Sequence, residues 1–276
     1  NIIAFGKRYF LRKAMLQNGA GAPPVFVVTG FPRSGTSVTA ALLNALGVFF
    51  GEPNTLRGGD RHNPGGYFEN REIASITMAL LRQAYDVNAS ILKARGLFSL
   101  AARAFTRRRM VRLVAYFNRR GGAWGFKAIP ARFLRFSFYF WGPYLPCKPK
   151  IVAVYRHPIS ASCSYKKMKG DQFFFPDIIR RWTDYHESLF YYLSQYQAFL
   201  IKYEDITNAE KQDAILARLH AFVGQGERAT LNGVVRCERS GTHEESAWLK
   251  AYYPLPERTK EILAELDNVY ASQYDK

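Results

Sequence analysis

The sequence predicts an α/β fold in which a parallel β-sheet is flanked by helices on both faces. Short apolar runs, "VFVVT" at 25–29, "KIVAVY" at 150–155 and "AFLI" within "QAFLIKYEDI", read as strands covered on both sides. Helical patterns separate them, at 36–47, 71–120, 176–196, 208–223 and 256–272. The first strand also runs through a loop bracketed by glycines, "GFPRSG", directly into a helix. A sheet of this kind places its ligand at the carboxyl ends of the strands.

At 276 residues and 48% hydrophobic content, the chain can fill the core of one large domain. It shows no repeat, no low-complexity tract and no linker long enough to argue for two domains. Residues 1–24 read as a basic helix, "KRYFLRK", followed by a hinge, "NGAGAPP"; residues 25–276 read as a single domain.

Within that domain, Val38, Leu42, Ala45 and Leu46 share one helical face before Gly47 ends the helix after the loop. A turn-rich segment, "GEPNTLRGGDRHNPGGYFEN", precedes the long helical region. "AWGFKAIP" is a further short strand meeting a turn, and Pro158 opens a helix that carries Ser164.

A formal charge of +17 and a pI near 9.9 favour anionic partners without naming them. Both "KRYFLRK" and "RRRMVRLVAYFNRR" (107–120) interleave charge with apolar residues. Each suits a surface helix against a membrane or an acidic polymer, or a solvated helix with one apolar side on the core. No apolar run reaches the roughly 20 residues that span a bilayer, and no signal peptide is read. Cys147, Cys163 and Cys237 are odd in number and widely spaced, which suggests neither a disulfide framework nor a zinc site. A cytoplasmic protein, peripheral at most to a membrane surface, is the expectation.

Gly30 and Gly35 bracket a turn between strand and helix, the setting of a phosphate-cradling loop. Backbone N–H groups and the helix dipole would face an anion there, with Ser34, Thr36 and Ser37 as hydroxyl donors. The lysine of the nucleotide-triphosphate loop is replaced by Thr36, and the loop carries its cation internally as Arg33. A kinase would also need Mg²⁺ and an acidic strand end. The strand ends here offer Lys127 and Arg156 instead, cations where a metal site needs anions. Transfer of a singly charged sulfuryl group, without metal, suits that set. A P-loop nucleotide kinase, or a basic module binding nucleic acid or membrane, is the alternative.

"TGFPRSGTS" resembles the 5′-phosphosulfate loop of sulfotransferases that use 3′-phosphoadenosine 5′-phosphosulfate (PAPS), and "YRHPISASCSY" resembles their 3′-phosphate motif, with Arg156 and Ser164 in place. "NPGGYFEN", "WGFKAIP" and "IKYEDI" are similar to the segments "NPKGYWEN", "WGLKDPR" and "VRYEDL" of bacterial-type sulfotransferases. The resemblance covers about 25–206 and departs where "KAIPAR" lacks the aspartate of "KDPR". It implies a P-loop-like sulfotransferase core with PAPS as donor, adenosine 3′,5′-bisphosphate (PAP) as product, and no metal. The resemblance allows small phenols and other alcohols as acceptors, the basic surface suits an anionic glycan, glycolipid or lipid-linked acceptor hydroxyl or amine, and no nucleic acid is expected as partner.

On this reading Arg33 and Lys127 stabilise charge on the departing phosphate. The acceptor's proton needs a base. Glu69 matches a family carboxylate and is favoured over His62, whose ordinary pKa suits the task but whose position is variable in the family. Arg236 and Arg239, in "RCERSGTHEES", are candidate 3′-phosphate ligands, the alternative being a solvated loop. Tyr203, Glu204 and Asp205 are read as structural braces, and His157 as a packed strand-end residue.

Overall fold

The computed structural model describes residues 21–61, 63–86, 96–128, 134–170, 172–227, 233–235 and 243–273. His62, Arg236, Arg239, Cys237 and the basic segment 1–20 lie outside the described residues.

Four strands, β1 (Val25–Thr29), β2 (Trp124–Lys127), β3 (Lys150–Tyr155) and β4 (Ala198–Lys202), form one parallel sheet in the order β2-β1-β3-β4. Val27 pairs with Phe126 on one side and Ile151 on the other, so β1 is central. Because β2 and β3 lie on opposite sides of β1, the chain changes direction beside it, which opens a crevice at the carboxyl edge. All four predicted strands are present.

Alternation along the strands divides the core between two faces. Val25 and Val27 of β1, with Ile151 and Ala153 of β3, face one layer. That layer includes α2 (Arg71–Asp86), α3 (Gly96–Arg119), α4 (Leu134–Trp141), α6 (Phe175–Gln195) and α10 (Glu257–Ser272). Phe26 and Val28, with Val152 and Val154, face α1 (Thr36–Ala45) and α8 (Ala209–Val223). The remaining helices are α5 (Pro158–Lys169), the single turn α7 (Tyr203–Ile206) and α9 (His243–Tyr252).

Several boundaries differ from the sequence reading for local reasons. The helical region at 71–120 comprises two helices, α2 and α3. Asn70 starts α2 by accepting the N–H groups of Glu72 (3.0 Å) and Ile73 (3.2 Å). Thr39, Leu42 and Leu43 form the buried face of α1, followed by Leu46 at its cap, while Val38 and Ala45 flank it. The charged end of "QAFLIKYEDI" turns into α7 instead of extending β4. Helices α4 and α9 have no counterpart in the sequence reading.

The wall behind the crevice is aromatic. Trp182 of α6 is fully buried, and its indole N–H donates to the Arg156 carbonyl at 3.0 Å. It therefore fixes the turn at which β3 becomes α5. Replacing Trp182 by alanine should cost about 3–5 kcal/mol of stability through the cavity and the orphaned carbonyl. A urea midpoint unchanged from wild type would show that the indole is dispensable.

Candidate active site

Residues 30–35 join β1 to α1 at the carboxyl edge. The first glycine is fixed by close approach, since a Cβ on Gly30 would meet the Val154 carbonyl oxygen of the neighbouring strand. Gly35 has φ 102°, and a Cβ there would enter the ring of Tyr203. As the N-cap of α1, Gly35 has no side chain to satisfy the first-turn N–H groups. The helix therefore presents uncapped donors, with the positive end of its dipole, to whatever enters the loop.

Two further features mark the loop as built for a ligand. Ser34 is fully buried, and its Oγ has no hydrogen-bond partner among the described residues. Arg33 holds φ 71°, a left-handed backbone that costs a non-glycine residue roughly 1–2 kcal/mol. That conformation sends its guanidinium across to α5, where Nε donates to Ser164 Oγ at 3.1 Å.

Arg156 follows β3 and is buried, with 7% of its surface exposed. Its Nη1 donates to the Arg33 carbonyl at 3.3 Å, and its guanidinium lies 4.6 Å from the centre of the Tyr203 ring. No carboxylate is salt-bridged to it among the described residues. Burial presses its pKa down, opposed by Tyr203 and Glu204. A buried cation so incompletely compensated is poised for an anion.

Lys127, at the end of β2, has a side chain only 1% exposed. Its Nζ donates to the Tyr67 carbonyl at 2.7 Å and to Ser37 Oγ at 3.2 Å, and lies 3.6 Å from Glu69 Oε1. Burial pushes its pKa down to about 8, against the attraction of Glu69. Glu69 is thus the counter-ion of Lys127.

The other oxygen of Glu69, Oε2, accepts from Arg57 at 3.2 Å. Arg57 stacks on Tyr67, 3.9 Å from the ring centre, and the Tyr67 hydroxyl donates to Asp60 at 2.8 Å. Backbone bonds from Arg57 N to Glu69 O and from Tyr67 N to Arg57 O close the segment into a strap. A strap anchored at both ends holds the carboxylate beside the phosphate loop.

The structure therefore gathers Arg33, Ser34, Gly35, Thr36 and Ser37 with Lys127, Glu69, Arg156 and Ser164 at one edge. His157 is a packed residue: it caps α5 through Nδ1, and burial lowers its pKa to about 4. Its backbone N–H donates to Glu204 Oε1 at 2.9 Å, so Glu204 braces the turn. Two contributors, Arg57 and Tyr185, escaped the sequence reading, and Tyr203, read there as a brace, makes a contact that the reading did not identify. Arg57 sits in a segment with no periodic pattern. The stacking of Tyr203 on Gly35 and Arg156 depends on tertiary packing. Tyr185, 156 positions from its partner, bonds Thr29 Oγ1 at 2.6 Å and also the backbone of Gly30. Only the glycine at position 35 hinted that a ring had to fit against it.

No protein-family model and no curated protein matches the chain. Solved structures do. The chain matches a sulfotransferase domain from the Synechococcus PCC 7002 olefin synthase at 15% identity and a TM-score of 0.53, covering 92% of this chain and 97% of that one. It also matches a sulfotransferase domain from the curacin biosynthetic pathway at 16% identity and a TM-score of 0.49, covering 90% and 99% respectively. The chain has the sulfotransferase fold, with the glycine-bracketed loop, Lys127, Arg156 and the Glu69 strap at the carboxyl edge of the sheet.

Proposed function

We propose that this protein is a sulfotransferase that moves the sulfuryl group of PAPS in line to an acceptor hydroxyl or amine and releases PAP. The observation that carries the reading is the pairing of two anion sites. The uncapped N-terminus of α1, with the orphaned Ser34 hydroxyl, is one; the other is the buried Arg156, bonded to the Arg33 carbonyl, with Ser164, which the Arg33 side chain reaches. A nucleotide with separate 5′ and 3′ phosphates fits both.

When bound, PAPS supplies an electrophilic sulfur and a phosphate leaving group. The acceptor oxygen forms a bond to that sulfur while the sulfur–oxygen bond to the 5′-phosphate breaks. Lys127 and Arg33 then face the negative charge that grows on the phosphate. Glu69 takes the acceptor's proton; Lys127 and Arg57 hold its two oxygens, so its direction is set before the acceptor arrives. The acceptor class is a small molecule, a glycan or a lipid-linked alcohol. Against a kinase stand the cationic strand ends, Lys127 and Arg156, where Mg²⁺ would need a carboxylate.

Saturating PAP should raise the thermal midpoint of the wild-type protein, and Arg156→Ala should lose most of that shift. An absent wild-type shift would remove the donor assignment; a full shift in the variant would remove the role of Arg156. Because Lys127 loses its proton near pH 8, PAP affinity should fall as pH rises through that value. Titrations at pH 7 and pH 9.5 check this, and Lys127→Met should flatten the difference. In a transfer assay at saturating labelled PAPS, Glu69→Gln should lower turnover by roughly 10²–10⁴-fold, far more than it lowers PAP affinity. Full activity in that variant would exclude Glu69 as the base.

A further inference from the structure

The arginine-rich segment at 107–120 takes no part in the site. It belongs to α3, a 24-residue helix without a single acidic residue. Met110, Val114 and Phe117 are buried in the core, so the helix cannot roll and its opposite face is fixed outward. That face carries three large apolar side chains, Phe105 (63% exposed), Val111 (49%) and Tyr116 (39%). Arg108, Arg112 and Arg119 are exposed on the same side, at helical spacings of three, four and seven from one another or from those residues.

The nearest carboxylates do not cancel this charge. Glu72 is 3.6 Å from Arg109, and Glu52 is engaged by Arg120 and by the Tyr116 hydroxyl. Arg108, Arg112 and Arg119 remain in excess along the exposed stripe.

We propose that the outward face of α3 docks the protein on an anionic lipid bilayer, with the arginines at the headgroups and Phe105 and Val111 inserted among the upper acyl carbons. Charge complementarity selects the sign of the surface. The apolar residues select its kind, since an acidic polymer offers nothing to bury a phenylalanine against, whereas a bilayer interface does. The inference is independent of sulfuryl transfer.

The test is co-sedimentation of the full chain with vesicles of phosphatidylcholine alone or containing phosphatidylglycerol, with heparin binding in parallel. The wild-type protein should partition onto the anionic vesicles and not onto phosphatidylcholine. Arg108→Gln with Arg112→Gln should weaken that partition roughly tenfold or more. Phe105→Ser with Val111→Ser should weaken vesicle binding too while leaving heparin binding unchanged. All four positions are exposed, and matching circular dichroism verifies folding. The proposal is overturned if anionic vesicles are not bound or if both double variants bind them like wild type, which would place the contact elsewhere. It is also overturned if only the arginine pair matters and heparin binding falls with it, the signature of an acidic-polymer site.

Discussion

The position of the Arg156 guanidinium is the constraint on which the site depends. It is buried, stacked on Tyr203, and bonded to the backbone carbonyl of Arg33. Tyr203 in turn presses on Gly35, where a larger residue could not stand. One cation therefore locks β3, β4 and the phosphate loop into a single register. Removing such a charge from water is costly, and a carbonyl with an aromatic face recovers only part of the cost. The open end of α1 begins two residues after Arg33 in the same loop, at Gly35.

The second cation is managed differently. Lys127 is as deeply buried as Arg156, but Glu69 reaches it from the strap. Burial still wins over that attraction, which brings its proton within reach of physiological conditions. Glu69 is therefore the counter-ion of Lys127 and, in the proposed function, also the base that meets the acceptor. Arg57 ties these duties together, because it pins Glu69 while resting on Tyr67, whose carbonyl holds Lys127. Lys127, Glu69, Arg57 and Tyr67 thus form one connected group of four residues.

Much of this frame was legible in the sequence. Buried strands such as "VFVVT" and "KIVAVY" carry few alternative readings, and the glycines at 30 and 35 announced a loop that comes close to other backbone. The sequence singled out Arg33 from the loop, Lys127 and Arg156 from strand ends, and Ser164 from the resemblance of "YRHPISASCSY". Contacts across the fold were not legible there. Arg33 meets Ser164 over 131 positions, so a residue assigned to one phosphate and a residue assigned to the other turn out to be neighbours. Arg57 was invisible for the opposite reason, since its partner lies only 12 positions away but across a turn that no periodicity marks. Helix α4, "LRFSFYFW", was missed because Arg135 and Ser137 alternate with Leu134, Phe136 and Phe138, a period of two that suits a strand rather than a helix.

The central claim is that one site holds two phosphates, and calorimetric titration with PAP and with adenosine 5′-phosphate tests it most directly. If Arg156 and Ser164 bind a second phosphate, PAP should bind at least tenfold more tightly, the worth of a charge-assisted contact of about 1.5–3 kcal/mol. Equal affinities for the two nucleotides, or tighter binding of Mg²⁺-ATP than of PAP, would contradict it.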